Sequence, residues 1–326
     1  FLSYCYVLVF LQGTSTPLTS RHAEHIQVGG IRSALRVPLR DKPLRSAENS
    51  MKNQIKSIMI TLWPDLYYTI SSYRFFRYCR KRFGEFQKNF SRDVFGTMPI
   101  QVLCGPFKGL RYYERIVWGP ITPKWIGSYE AELHEIVRKI IETGYNCIID
   151  IGAAEGYYAV GFAWKCKETK VVAYDIDPIA RRRQKQLAAL NGIENLVIRK
   201  YCDHKKLSKE ISGKTLVVCD VEGFEVVLLD PAKARELERA DILVELHPFG
   251  EMSAQAVEDL IVERFVGTHI VTKTVISPRE PLRYSASVDN LKNIDLEVLT
   301  EAMNEYRIDS QSWLWLKAEQ SDGGNY

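Results

Sequence analysis

The sequence predicts an α/β protein whose mostly parallel sheet is covered by helices on both faces, with a helical and hairpin extension ahead of it. Three observations lead there. Short apolar runs at 147–151, 170–174, 196–201, 215–219 and 242–246 recur without the alternation of a half-exposed strand. Segments of helical or mixed character separate these runs. The punctuation between them is that of helices: Asp177-Pro178 offers an N-cap followed by proline at the first helical position, and Asn191-Gly192 offers a stop. Asp230-Pro231 repeats the start signal.

Taken in order, residues 1–50 show neither the helical nor the strand period and are expected to be a disordered or non-native extension, with a natural start at Met51. Within them "YCYVLVFLQ" from Tyr4 is too short to span a bilayer, and no basic residue precedes it as a signal peptide would require. Residues 51–127 form an accessory region. Its helical part, to about Arg92, is interrupted at Pro64-Asp65 and then interleaves aromatic residues with Arg74, Arg77, Arg80, Lys81 and Arg82. That pattern suits either a surface helix for anionic lipid or nucleic acid, with membrane contact through 65–83, or one that docks its aromatics and leaves its charges in water. Residues 98–113, two β-rich runs around Gly105-Pro106, predict a hairpin.

The main domain is expected over 128–318, followed by a tail at 319–326. It opens with a helix capped by Ser128 and stopped by Gly144, which delivers the chain into the first strand. After the fifth strand come a helix over 253–265, a strand over 268–275, a helix over 296–306 and a last strand in "SWLWLKA" from Ser312.

Composition constrains function less. A hydrophobic fraction of 46%, a charged fraction of 26% and a net charge of +4 describe a globular chain that is less basic than a dedicated nucleic-acid binder. The seven cysteines include no CxxC pair and no zinc spacing, which points to reduced thiols in a cytoplasmic protein.

In open α/β sheets, ligands bind beyond the carboxyl ends of the strands. The polar residues there are Asp150, Asp175, Cys202 and Asp203, Asp220 and Glu222, and His247. The first turn reads Asp150-Ile151-Gly152-Ala153-Ala154-Glu155-Gly156-Tyr157, so the GxGxxG of a dinucleotide fold is absent and Tyr157 stands where its third glycine would be. An aspartate beside glycine-rich backbone suits a zwitterionic amino-acid head, and Asp175 is placed to accept from both hydroxyls of a ribose. Together these outline S-adenosylmethionine.

"IIDIGAAEGYYAVGFA", "VVAYDIDP", "LVVCDVEGFEVVLL" and "ILVELHP", in that order, resemble the Rossmann-like (class I) S-adenosylmethionine-dependent methyltransferases and, among them, the FkbM-like group. The resemblance covers roughly 129–317 and implies a three-layer α/β/α sandwich whose seven-stranded sheet has an antiparallel last strand. It implies that Gly152, Ala154 and Gly156 line the methionine portion, with Asp150 on its ammonium, Asp175 on the ribose and Asp203 on the adenine. Tyr157 is a candidate for stacking near the cofactor.

The acceptor it implies is a hydroxylated small molecule, a sugar being one class, with no specific nucleic acid. Glu222 and His247 are the candidate bases for the hydroxyl, and Asp220 is placed to orient the substrate or the sulfonium end. Each has a plainer reading: Asp220 as a helix cap, Glu222 as a lysine partner, His247 as a turn residue. Three alternatives compete with this function: an RNA methyltransferase, an NAD(P)-dependent oxidoreductase, and a protein that binds the cofactor without turnover. No required metal is expected, because no adjacent acidic pair follows the fifth strand.

Overall fold

A computed structural model describes residues 54, 56–114, 119–307 and 311–319. The expectations for residues 1–50, for a start at Met51 and for nearly all of the 319–326 tail lie outside the described residues. The chain divides into two compact units at Tyr67 and Tyr68, and the sheet lies within the unit that contains residues 68–326.

That sheet has seven strands: β1 (Cys147–Ile151), β2 (Lys170–Tyr174), β3 (Leu196–Arg199), β4 (Thr215–Cys219), β5 (Asp241–Leu246), β6 (His269–Val275) and β7 (Ser312–Ala318). Their spatial order is β3-β2-β1-β4-β5-β7-β6. The first five are parallel, and β7 runs antiparallel between β5 and β6. This is the Rossmann-like fold expected from the sequence, last strand included. The order turns back between β1 and β4, which opens a crevice beyond their carboxyl ends.

β1, β4 and β5 are buried along their whole length, which accounts for apolar runs without alternation. On one face Ile148, Leu216, Val218, Leu243 and Trp313 pack against the helix Tyr157–Lys165. Ile149, Val217, Ile242 and Leu314 line the other face, against Val257, Ile261 and Phe265 of the helix Ala254–Phe265. Because successive side chains alternate, Asp150 falls on the Ile148 face, just where β1 reaches the crevice.

Residues 68–127 join the first of these cores. Phe90, Val94, Phe95, Val102, Phe107, Trp125 and Ile126 are buried in it, so the boundary expected at 127/128 does not divide the packing. The long helix Pro64–Phe95 docks through Cys79, Gln87, Phe90 and Val94, while Arg74, Arg77, Arg80, Lys81 and Arg82 are all exposed beside Tyr73 and Tyr78.

Several local expectations are refined or corrected. The 98–113 hairpin is present but short: Gln101 bridges Arg111, Tyr112 N–H donates to Ile100, Val102 N–H to Leu110 and Gly109 N–H to Val102, while the Leu103 and Cys104 N–H groups turn away to the carbonyls of Trp125 and Ile126. Ser128 caps nothing; the chain passes through a 3₁₀ turn, Ala131–Leu133, before the helix His134–Thr143, which does end at Gly144. Asp230-Pro231 leads into turns and a 3₁₀ segment, Arg235–Arg239, with Asp230 accepting from the Ala232 N–H. Asp177 and Asn191-Gly192 delimit the helix Pro178–Leu190 as expected. No helix of the described residues is long and apolar enough to cross a membrane.

Candidate active site

The crevice between β1 and β4 holds a cleft of ≈ 240 Å³, lined by Gly152, Ala154, Asp175, Asp220 and Glu222 from the sheet side. A deeper cavity of ≈ 40 Å³ adjoins the same turn and is lined by Asp150, Tyr157 and Trp313 among others. Both are built at strand ends. Gly152 sits at φ +86°, and a Cβ there would lie 1.7 Å from the Asp220 carbonyl oxygen, so only glycine lets the β1 turn rest on the end of β4. Ala154 adopts φ +44°, a left-handed conformation uncommon outside glycine, and Glu222 does the same at +55°. Such strain costs on the order of 1–3 kcal/mol per residue and concentrates at functional sites.

Asp150 is 4% exposed and its Oδ2 makes no hydrogen bond. Burial, reinforced by the carboxylates of Asp220 and Asp175, pushes its pKa up to about 8. A carboxylate so placed favours a cationic partner. Asp175 is also buried and is pushed up to about 7 by burial, against the opposing pull of N–H donors. Its Oδ2 accepts from Ala154 N–H at 2.9 Å and its Oδ1 from Asp177 N–H at 2.8 Å, which fixes the carboxylate at the cleft wall. Each oxygen keeps a further lone pair for a ligand hydroxyl.

The remaining cofactor candidates divide. Gly156 is the uncapped N-terminus of the helix Tyr157–Lys165. Tyr157 stands edge-on to Phe107 and Tyr129, a core residue that also lines the deeper cavity. Asp203 does not line the cleft: its Oδ1 caps the helix His204–Glu210 by accepting from Lys206 N–H, and its Oδ2 pairs with Lys206 Nζ at 3.0 Å. Its oxygens keep lone pairs as those of Asp175 do, so what sets Asp203 apart from Asp175 is its place outside the lining of the cleft.

The second half of the site gathers Asp220, Glu222, Glu225, Glu245 and His247. Glu225, fully buried, accepts the Val221 N–H at 3.0 Å and lies 2.9 Å from His247 Nδ1, all through Oε1. Nε2 of His247 makes no hydrogen bond, with Glu245 Oε2 at 3.6 Å, Glu222 Oε2 at 3.8 Å and Asp220 Oδ1 at 3.9 Å. Burial alone would lower the pKa of His247, but the hydrogen bond its Nδ1–H donates to Glu225 and the charges of Asp220 and Glu245 outweigh it and raise the pKa to about 10. The surrounding carboxylates thus favour the protonated ring, which counts against His247 as a base and leaves Glu222 the better placed candidate.

Other residues reach the cleft from outside the strand-end motifs. Tyr68, Ser71, Ser72 and Phe75 form one wall from the long helix, and Ser72 hydrogen-bonds to Asp177. Lys124, buried at 5% exposure, pairs with Glu155 and lies 4.5 Å from the centre of the Tyr129 ring. Arg307 bridges Glu130, Glu245 and Glu305, and so fastens the wall behind His247. For Glu225 the signal was present in "DVEGFE", where it follows Glu222 on a short turn. Nothing in the sequence marked Lys124 or Ser72.

No family model matches the chain, and no curated protein matches it in sequence. Solved structures match it in three dimensions. An rRNA methylase from Streptococcus thermophilus is 14% identical with a TM-score of 0.40, over 58% of this chain and 97% of its own. The O-methyltransferase TomG from Streptomyces achromogenes, involved in tomaymycin synthesis and solved with S-adenosylmethionine, is 14% identical with a TM-score of 0.38, over 59% of this chain and 81% of its own. At such values the likenesses carry nothing about cofactor or acceptor, and the reading of the site rests on this chain's own residues.

Proposed function

We propose that the chain is an S-adenosylmethionine-dependent methyltransferase that methylates a hydroxyl of a small molecule, a sugar being one acceptor class. The observation that carries this reading is Asp150: a buried carboxylate with an unpartnered oxygen, beside a glycine turn and within the same crevice as Asp175. In this assignment Asp150 takes the ammonium, Lys124 the carboxylate of the methionine portion, the Gly152–Gly156 turn gives the close backbone approach, and Asp175 takes the ribose hydroxyls. "DVEGFE" supports placing the chain in the FkbM-like group.

The cofactor would supply an electrophilic methyl group carried on a sulfonium. Everything else falls to the protein's residues. They hold the acceptor hydroxyl in line, exclude water through the wall of Tyr68 and Phe75, and receive the hydroxyl proton on Glu222, which lines the cleft with 38% of its side chain exposed. The protonated His247 holds Asp220, Glu222 and Glu245 together.

Asp220, Glu222, Glu225 and Glu245 are four acidic groups facing the His247 ring and, behind Glu245, the Arg307 guanidinium, an acidic balance that counts against a phosphate-bearing acceptor such as RNA. Calorimetry with S-adenosylhomocysteine tests the cofactor assignment. Micromolar binding by the wild type, weakened ~10–100-fold in Asp175→Ala and in Asp150→Asn, is expected, each variant losing a hydrogen bond to a charged group. Absence of wild-type binding, or binding of NADH instead, would remove the reading.

A further inference from the structure

We propose that the outward side of the long helix Pro64–Phe95, over residues 70–82, is a docking surface for an anionic lipid membrane. Residues 66–84 contain no aspartate or glutamate, while residues 74–82 carry five cations, Arg74, Arg77, Arg80, Lys81 and Arg82. All five are exposed. Lys206 and Lys233, also exposed, sit 3.0 and 3.1 Å from the carboxylates of Asp203 and Asp230. Among the described residues, Arg74, Arg77, Arg80 and Lys81 have no such partner. Four cations within about two helical turns repel one another, and an anionic surface outside the molecule relieves that repulsion.

Helical spacing gives the two sides of this segment different work. Tyr68, Ser72 and Phe75 fall on the side that walls the cleft, with Cys79 buried below them. Ile70, Arg74, Arg77 and Lys81, at intervals of four, three and four, run down the opposite side. Ile70 is itself exposed, and Tyr73 and Tyr78, which flank the row, are each more than half exposed. Apolar and aromatic side chains among arginine and lysine suit the boundary of a bilayer. The rings and the aliphatic group enter between headgroups and acyl chains, and the long cationic side chains reach the phosphates. The shorter unit, taken alone, exposes Ile58, Leu62, Trp63 and Leu66, so an apolar run precedes the basic one in the chain. A single-stranded nucleic acid could pair with the same cations and stack on the tyrosines, but such strands are held in grooves, whereas a helix side is convex, and Ile70 offers no ring to a base. Lipid is the better fit.

Docking is measured without methyl donor or acceptor, so this proposal and the function proposed above can fail separately. Full-length protein is mixed with vesicles of phosphatidylcholine, alone or with about 30% phosphatidylserine, and the bound fraction is read by flotation. Binding to the serine-containing vesicles only is expected, weakening at least ~10-fold between about 0.1 M and 0.5 M NaCl as screening shortens the reach of the charges. Arg74→Gln, Arg77→Gln and Lys81→Gln combined are expected to weaken it ~10–100-fold. The same loss of charge at Lys139, Lys209 and Lys233, exposed on other elements, leaves it unchanged. Tyr73→Ser with Tyr78→Ser is expected to weaken it ~3–10-fold without altering the salt dependence. Should the triple variant fail to fold by circular dichroism, the tyrosine pair and the salt titration decide. No binding to either vesicle, equal binding to both, or equal binding by the wild type and the folded triple variant overturns the proposal. So does tight binding of single-stranded RNA that the triple variant loses, with vesicles left unbound, which assigns the surface to nucleic acid instead.

Discussion

The two halves of the crevice, the β1–β2 ends and the β4–β5 ends, are both crowded with acid yet are organised in opposite ways. In the first, each carboxylate is positioned by backbone. Asp175 is held by two N–H groups, and Asp150 sits at a strand end fixed by the glycine turn. Side chains position one another in the second half, where Glu225 orients His247 and His247 in turn faces Asp220, Glu222 and Glu245. A backbone-held group survives the loss of its neighbours. A mutually held cluster does not, so substitutions in the second half should propagate.

The largest effect is expected where the halves touch. Gly152→Ala forces a Cβ onto the Asp220 carbonyl oxygen, and a loss of more than ~4 kcal/mol, or no folded protein, should appear in denaturant titration. A normal midpoint would show that the β1 turn can leave β4 without harm. Next comes Glu222→Gln, expected to slow methyl transfer ~10²–10⁴-fold while S-adenosylhomocysteine binds as in the wild type. If affinity fell along with rate, the division between a donor half and an acceptor half would collapse.

Protonation separates the halves at a smaller scale. Asp150, with its pKa raised to about 8, holds a proton at pH 7 that a ligand ammonium must displace, so calorimetry in two buffers should record proton release on binding. The folded-state pKa lies above the unfolded value of about 3.9, so the folded state binds the extra proton and gains stability from it at low pH. That stability is lost as pH rises through about 8, and Asp150→Asn should flatten the decline in melting temperature. Ala154→Gly is the mildest test. It relieves a positive φ but frees the unfolded chain, and the net change should stay within about 1 kcal/mol.

Much of the first half was legible in the sequence because its causes are local. Apolar runs bounded by turn signals mark β1 to β5, Asp150 and Gly152 belong to a motif a few residues long, and Asp175 is marked by ending the second run. Competing local partners are harder to read from sequence: Asp203 also caps a helix and pairs with Lys206, and Ser128 is superseded by a 3₁₀ turn that starts the helix later. The second half depends on charges brought together from separate strands. His247 reads as a base in the sequence because the carboxylates that favour its protonated form, Asp220, Glu222 and Glu225 from the β4 end and Glu245 from β5, meet it only in the fold. Lys124 and Ser72 were invisible for the same reason, since only packing brings their segments to the crevice.

Asp177 shows where that packing leads. One of its oxygens caps the helix Pro178–Leu190, the other receives Ser72 from the long helix, and Asp175 lies two residues upstream. The residue assigned to the ribose is therefore latched, through one short turn, to a wall of the cleft. Cutting that latch with Ser72→Ala is expected to speed release of S-adenosylhomocysteine in stopped-flow measurements, because the wall and the ribose site would then move independently.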